Sequence, residues 1–148
     1  MTMTIIDATG HVAGRLASVV AKRLLNGEDI IVVNAEKAIV TGRRSVVLAE
    51  FKARKARGST TSRMRGIGPL YPRRPDNILK RTISRMLPYQ QPRGRQALRR
   101  LRVHIGVPDA YRGQALEAIE IARRPPRSPW MSLGEVSGLL GSKFQVSP

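Results

Sequence analysis

Cations are the one kind of chemical equipment this chain carries in quantity. Between residues 43 and 102 stand 18 Lys or Arg side chains and two acids, Glu50 and Asp76. Residues 1–42 carry four charges of each sign, and residues 103–148 carry five bases and four acids, so nearly all of the formal net charge of +17 belongs to one segment. A neutral body with a concentrated cationic block presents a face to a polyanion, and its field steers association. Of the 27 bases, 21 are Arg. A guanidinium stays charged and grips phosphate oxygens in a fork, whereas an ammonium acts as a hydrated point charge. The candidate phosphate ligands are Arg43, Arg44, Lys52, Arg54, Lys55, Arg57, Arg63, Arg65, Arg73, Arg74, Lys80, Arg81, Arg85, Arg93, Arg95, Arg99 and Arg100. RNA, DNA and an anionic membrane are the partners such a block can serve.

The elements that must position these side chains are readable from hydrophobic periodicity. The sharpest is a helix over 76–87, with Asp76 as its cap. Ile78, Leu79, Thr82, Ile83, Met86 and Leu87 fall on one half of the wheel, and Lys80, Arg81, Ser84 and Arg85 on the other. One half can dock while the other shows three cations, although a merely solvated charge run has the same pattern. A basic helix is expected from Ser45 to about Ala56, another from Pro92 to Leu101, and a Gly- and Pro-interrupted Arg-rich loop over 57–75. Gly66 and Gly68 allow close approach of that loop's backbone, and its prolines reduce the entropy lost on ordering.

Strands are expected at 4–8, 30–33, 38–41 and 102–105, with a helix from Ala13 to Asn26 between the first two. Leu16, Val20 and Leu24 share a face of that helix with Ala17 and Ala21, and Gly27 stops it. The run IIVV at 30–33 suits a parallel strand buried on both faces. Beyond Gly106 a helix is expected near 115–123, and another opened by the capping pair Ser132 and Glu135. The length suits one domain, 1–148, with a basic segment at 43–102 and a peripheral segment at 107–148.

Other chemistries are poorly supported. The turn TGHVAGR at 9–15 lies where a phosphate could sit, but Val12 stands where GxGxxG needs glycine, and Arg15-Leu16 where a Walker loop needs Gly-Lys. His11 and His104 have no second ligand at metal-binding spacing, and with no cysteine there is neither a thiolate site nor a Cys nucleophile. The acids are scattered, so no acid–base pair appears. Two Phe, three Tyr and one Trp leave little for base stacking. No apolar run has transmembrane length, the start MTMTIIDATG does not read as a secretory signal, and a cytoplasmic location is expected. An amphipathic membrane helix at 76–87 lacks the aromatic residues expected at an interface.

Three segments, IIDATGHVAGRLASVVAKRLLNGEDIIVVNAEKAIVTG, RGIGPLYPRRPDNILKRTISRMLP and PRGRQALRRLRVHIG, closely resemble the universal large-subunit ribosomal protein L thirteen family in its archaeal and eukaryotic form. The likeness runs nearly end to end. The family's signature is similar to Met86, Leu87, Pro88, Gly94, Arg95, Leu101, Val103 and Gly106 here, while Ser84 and His104 depart from the usual residues. The resemblance implies a three-layer α/β/α fold around a four-stranded parallel sheet, with a basic loop-helix extension. It also implies a structural, non-catalytic role in the large ribosomal subunit, with large-subunit rRNA as partner and neighbouring ribosomal proteins as secondary contacts. No cofactor, metal, small-molecule substrate or membrane belongs to that picture. A free-standing RNA-binding regulator using the same face is the alternative.

Overall fold

The structure, a computed structural model, describes residues 3–57 and 70–144. Its centre is a parallel unit of β1 (Met3–Asp7), α1 (Ala13–Leu25) and β2 (Asp29–Val33), extended by β4 (Leu101–Val103) on the far side of β2. Ile6 lies opposite Val32, and Ile30 opposite Leu101. Because side chains alternate across a strand, Ile6, Ile30, Val32 and Leu101 point to one face, where they join the main core. The expected helical face meets them there, with Leu16, Val20 and Leu24 wholly removed from solvent. Each such side chain contributes roughly 1.5–3 kcal/mol relative to exposure. Gly27 ends this helix with φ +100°, a conformation that costs glycine nothing.

The same core is completed by α3 (Pro75–Met86) and α4 (Pro92–Arg99), which pack on α1 and β4. Ile78, Leu79, Ile83 and Leu87 are buried as the wheel predicts, but Met86 is 44% exposed. Asp76 does not cap α3. Arg74 occupies that position without a side-chain bond, Pro75 supplies the first helical residue, and Asp76 follows it in the first turn, where a carboxylate favours the helix dipole.

The expected fourth parallel strand is corrected by the topology. β3 (Ile39–Thr41) leaves the central sheet and pairs antiparallel with β5 (Trp130–Ser132), with Thr41 opposite Trp130. Two features divert it. Asn34 takes a left-handed conformation at φ 55° and opens a single 3-10 turn at Ala35–Lys37, while the free edge of β2 is already taken by β4. The central sheet therefore has three strands among the described residues. Its second face holds a small cluster of Ile5, Ile31 and Val33, packed against Val107 and against Tyr111 of the 3-10 turn Asp109–Tyr111.

α2 (Arg44–Ala56) and α6 (Leu133–Leu139) close over the small sheet through Val47, Met131 and Val136. The Ser132 hydroxyl accepts from the Glu135 N–H at 3.2 Å, as the capping pair predicts. The helix expected near 115–123 shrinks to α5 (Glu120–Arg123). The edge of β1 captures the backbone before it: Asp7 N–H donates to Glu117 O at 3.0 Å, and Glu117 N–H to Ile5 O at 2.8 Å. β4 begins at Leu101, one residue before the expected strand, and ends two residues sooner.

Candidate nucleic-acid interface

The cationic residues fall on three helices and the segments that lead into them. Arg44, Lys52, Arg54 and Lys55 lie on α2, flanked by Arg43 and Arg57; Arg73 and Arg74 lead into α3, which carries Lys80, Arg81 and Arg85. Arg93, Arg95 and Arg99 lie on α4, and Arg100 follows as its C-terminal cap. Arg63 and Arg65, with Gly66 and Gly68, lie outside the described residues. All the described candidates are exposed except Lys55, Arg81 and Arg100, which are half-buried. The segment's two acids are each beside an Arg of the same segment: Glu50 bonds Arg54 one helical turn away, and Asp76 Oδ1 lies 3.3 Å from Arg74 Nε.

α2 and α3 face one another across a groove of about 410 Å³. Phe51, Tyr71, Ile78, Met86 and Leu140 give it apolar walls, while Arg54, Lys55, Arg81 and Arg85 bring four cations to the same opening. Local contacts set its width. The ammonium of Lys55 donates to Tyr71 O at 3.1 Å, and Arg81 Nη1 donates to Leu70 O at 2.6 Å. The Arg81 guanidinium carbon also stands 4.5 Å from the centre of the Tyr71 ring, within cation–π range. The backbone at 70–71 is thus held from both helices. Ser137 Oγ donates to Arg73 O and fixes the entry to α3 from the side of α6.

Arg81 keeps most of its five N–H donors after the bond to Leu70. A charged, partly desolvated guanidinium whose orientation is already fixed loses little entropy on meeting a phosphate. Periodicity had placed Arg81 on the polar half of α3, but nothing in it indicated that Tyr71 and the Leu70 carbonyl orient the side chain.

The cations of α4 are not brought to this groove. Arg95 turns back to Gln90 O at 3.1 Å, and Arg100 Nη1 donates at 3.2 Å to Leu24 O in the last turn of α1, a carbonyl that also accepts from Gly27 N–H. Arg100 therefore has a structural task independent of any ligand. The position of α4 depends on Gly94: a Cβ there would stand 2.0 Å from Pro88 O and 2.3 Å from Pro88 C. Only glycine lets the helix cross the Pro88 turn this closely.

The two histidines are packed into the fold. His11 is 1% exposed, with Nδ1 3.0 Å from Thr9 O and Nε2 accepting from Ile119 N–H at 2.9 Å. This pairing requires the neutral ring with its proton on Nδ1. His104 packs beside Tyr111, and burial, helped by the charge of Arg102, holds its pKa below the usual value. Neither joins a cluster of metal-ligating side chains among the described residues.

Comparison with known proteins adds a decisive observation. The family model of ribosomal protein L13 matches residues 1–110, which include both helices of the groove and all of α4. The chain belongs to the ribosomal protein L13 family. Curated relatives carry the likeness beyond residue 110. The large ribosomal subunit protein uL13 of Methanosarcina barkeri is 50% identical over 147 residues, covering 96% of this chain and 100% of that protein. The protein of the same name from Methanosphaera stadtmanae is 47% identical over 142 residues, with 96% and 99% covered. That from Archaeoglobus fulgidus is 48% identical over 141 residues, with 93% and 87% covered. The likeness to whole relatives of the ribosomal protein L13 family thus extends over sequence that the family model does not match.

Proposed function

We propose that this L13-family chain is a structural, non-catalytic constituent of the large ribosomal subunit in the cytoplasm, binding and stabilising folded large-subunit rRNA through its Arg-rich face. The observation that carries the reading is the groove between α2 and α3, where Arg54, Lys55, Arg81 and Arg85 line one opening together with apolar side chains. Phosphates on a folded RNA approach one another closely, and a fixed set of guanidinium forks can bridge them. The remaining cations of 43–102 extend the contact along the backbone, with neighbouring ribosomal proteins as secondary partners. Residues 1–148 act as one domain in this account, and the core side chains of α1, the sheet and α3 hold the cations in place.

Sedimentation tests the reading. Most of the cellular protein is expected to cofractionate with the large subunit in a sucrose gradient. A profile with most of it at the top would overturn the proposal and favour a free-standing RNA-binding regulator. Binding to isolated large-subunit rRNA should also weaken steeply with salt, by roughly 10³ to 10⁵ between 50 and 200 mM for about six to ten duplex phosphate contacts.

A further inference from the structure

A second cationic cleft lies outside the basic segment. Arg15 of α1 and the two arginines Arg124 and Arg127 surround a space of about 540 Å³, with Thr41 of β3 and the prolines Pro125 and Pro126 as further walls. All three arginines are exposed, and none forms an ion pair or a side-chain hydrogen bond among the described residues. The cleft is built rather than draped. Val12 N–H donates to Ala122 O at 2.8 Å just before the strap 123–129, and Gly42 N–H donates to Pro129 O at 2.7 Å at its far end. Two prolines between those anchors, Pro125 and Pro126, restrict the backbone from which Arg124 and Arg127 project.

We propose that this cleft is a second RNA-backbone site, which grips phosphates through Arg15, Arg124 and Arg127 independently of the groove between α2 and α3. The inference rests on the rRNA-binding reading and extends it to a part of the chain whose net charge is close to zero. Three guanidinium groups around one opening offer several forks to phosphate oxygens, more than a single carboxylate would use. The surroundings favour RNA over a membrane or an acidic peptide. Thr41 lies directly across the β-ladder from Trp130, which is 56% exposed and presents an indole on which an unstacked base can rest. Arg43 follows Thr41 by two residues, so a strand leaving the cleft meets the first cation of the basic segment.

Trp130 is the only tryptophan in the chain, which gives the experiment a local reporter. A large-subunit rRNA transcript is titrated into the full chain while indole fluorescence and overall affinity are followed. The indole signal of the wild-type protein should be quenched on binding. The triple variant Arg15→Ala, Arg124→Ala, Arg127→Ala should melt as wild type, bind roughly 10- to 100-fold more weakly and lose the quench. Its slope of log affinity against log salt should become shallower by about 2 to 3. An unchanged indole signal, with the triple variant matching wild type in affinity and slope, would overturn the cleft and leave the groove reading intact. If the triple variant binds rRNA normally but fails to enter subunits, the cleft takes a protein, which also overturns the proposal. If the wild-type chain does not bind the transcript at all, the functional reading falls together with this one.

Discussion

His11 Nε2 accepts the backbone N–H of Ile119 at 2.9 Å, joining two residues separated by 108 positions in the chain. Both sites are buried, so neither group has water as a substitute partner. The ring's other nitrogen reaches Thr9 O, and His11's own carbonyl accepts from Ile39 N–H at 2.9 Å. One residue thereby connects the β1–α1 turn, β3 and the segment leading to α5.

Replacing His11 by Ala strands the Ile119 N–H and should cost about 1 to 3 kcal/mol, with an added loss for the emptied volume. Urea unfolding measures this directly. Affinity for rRNA should fall only in proportion to the unfolded fraction, because the ring touches no exposed surface.

Fold and binding should separate within α3. Exchanging Lys80 and Arg85 for Glu is expected to leave the melting temperature nearly unchanged, since exposed charges contribute little to stability. The same change should strongly reduce rRNA binding. Ile83→Ala is expected to cost about 2 to 5 kcal/mol, because the side chain is fully buried. A thermal melt beside an RNA titration distinguishes the two classes. Arg81 is a poorer probe than Arg85, as its removal also frees Tyr71 and Leu70.

Gly94→Ala should be among the most damaging single-methyl changes in the protein. The added carbon meets the Pro88 carbonyl, which is backbone and cannot rotate away. Overpacking of this kind costs about 1 to 3 kcal/mol or more. The expected signature is a lowered melting temperature with faster amide exchange across α4.

Stability should decline in acid through two identified carboxylates. The hydrogen-bonded Arg23 guanidinium outweighs burial and holds Glu117 below its usual 4.5. Burial alone would raise Asp7 above its usual 3.8, but bonds from the Thr9 hydroxyl, the Asn34 amide and the Thr9 N–H together outweigh it and hold Asp7 lower. Both folded values are depressed, so their contribution is complete above about pH 5 and is lost as pH falls through 4.5 and 3.8 toward the folded values. Urea midpoints measured from pH 6 to pH 3 should fall, and Asp7→Asn should flatten part of that fall.

The central unit was legible because its signals are local. The face of Leu16, Val20 and Leu24 and the run at 30–33 are patterns contained within single elements, and they emerged in the expected places. The split of α3 was equally readable, apart from Met86, which sits where the apolar half meets the open groove. What was not legible depends on distant partners. Nothing within 38–41 indicates a partner at 130–132, and nothing within 115–119 indicates that the edge of β1 will capture Glu117 in place of a helix. The candidate site divided in the same way. Charge density points to the cations of α2 and α3 as candidates, but not to the bond from Arg100 to Leu24 O, nor to the proximity of Arg15 to Arg124 and Arg127. The run RRPPR at 123–127 was the available clue to the second cleft, and it was overshadowed by the larger charge of the middle segment.

The pairing of β3 with β5 has a consequence for the order in which the chain matures. Residues 39–41 are synthesised early, yet their ladder partner at 130–132 appears only after the entire cationic segment has been made. Until then β3 carries an open edge and α2 lacks Met131 and Val136 beneath it. The nascent protein can assemble β1, α1 and β2 from nearby sequence, whereas the small sheet must await a contact of long range, which is slow to form. The arginines of α2 thus emerge on a helix whose support is still missing, and they acquire their final spacing to α3 only when the later strand closes the fold.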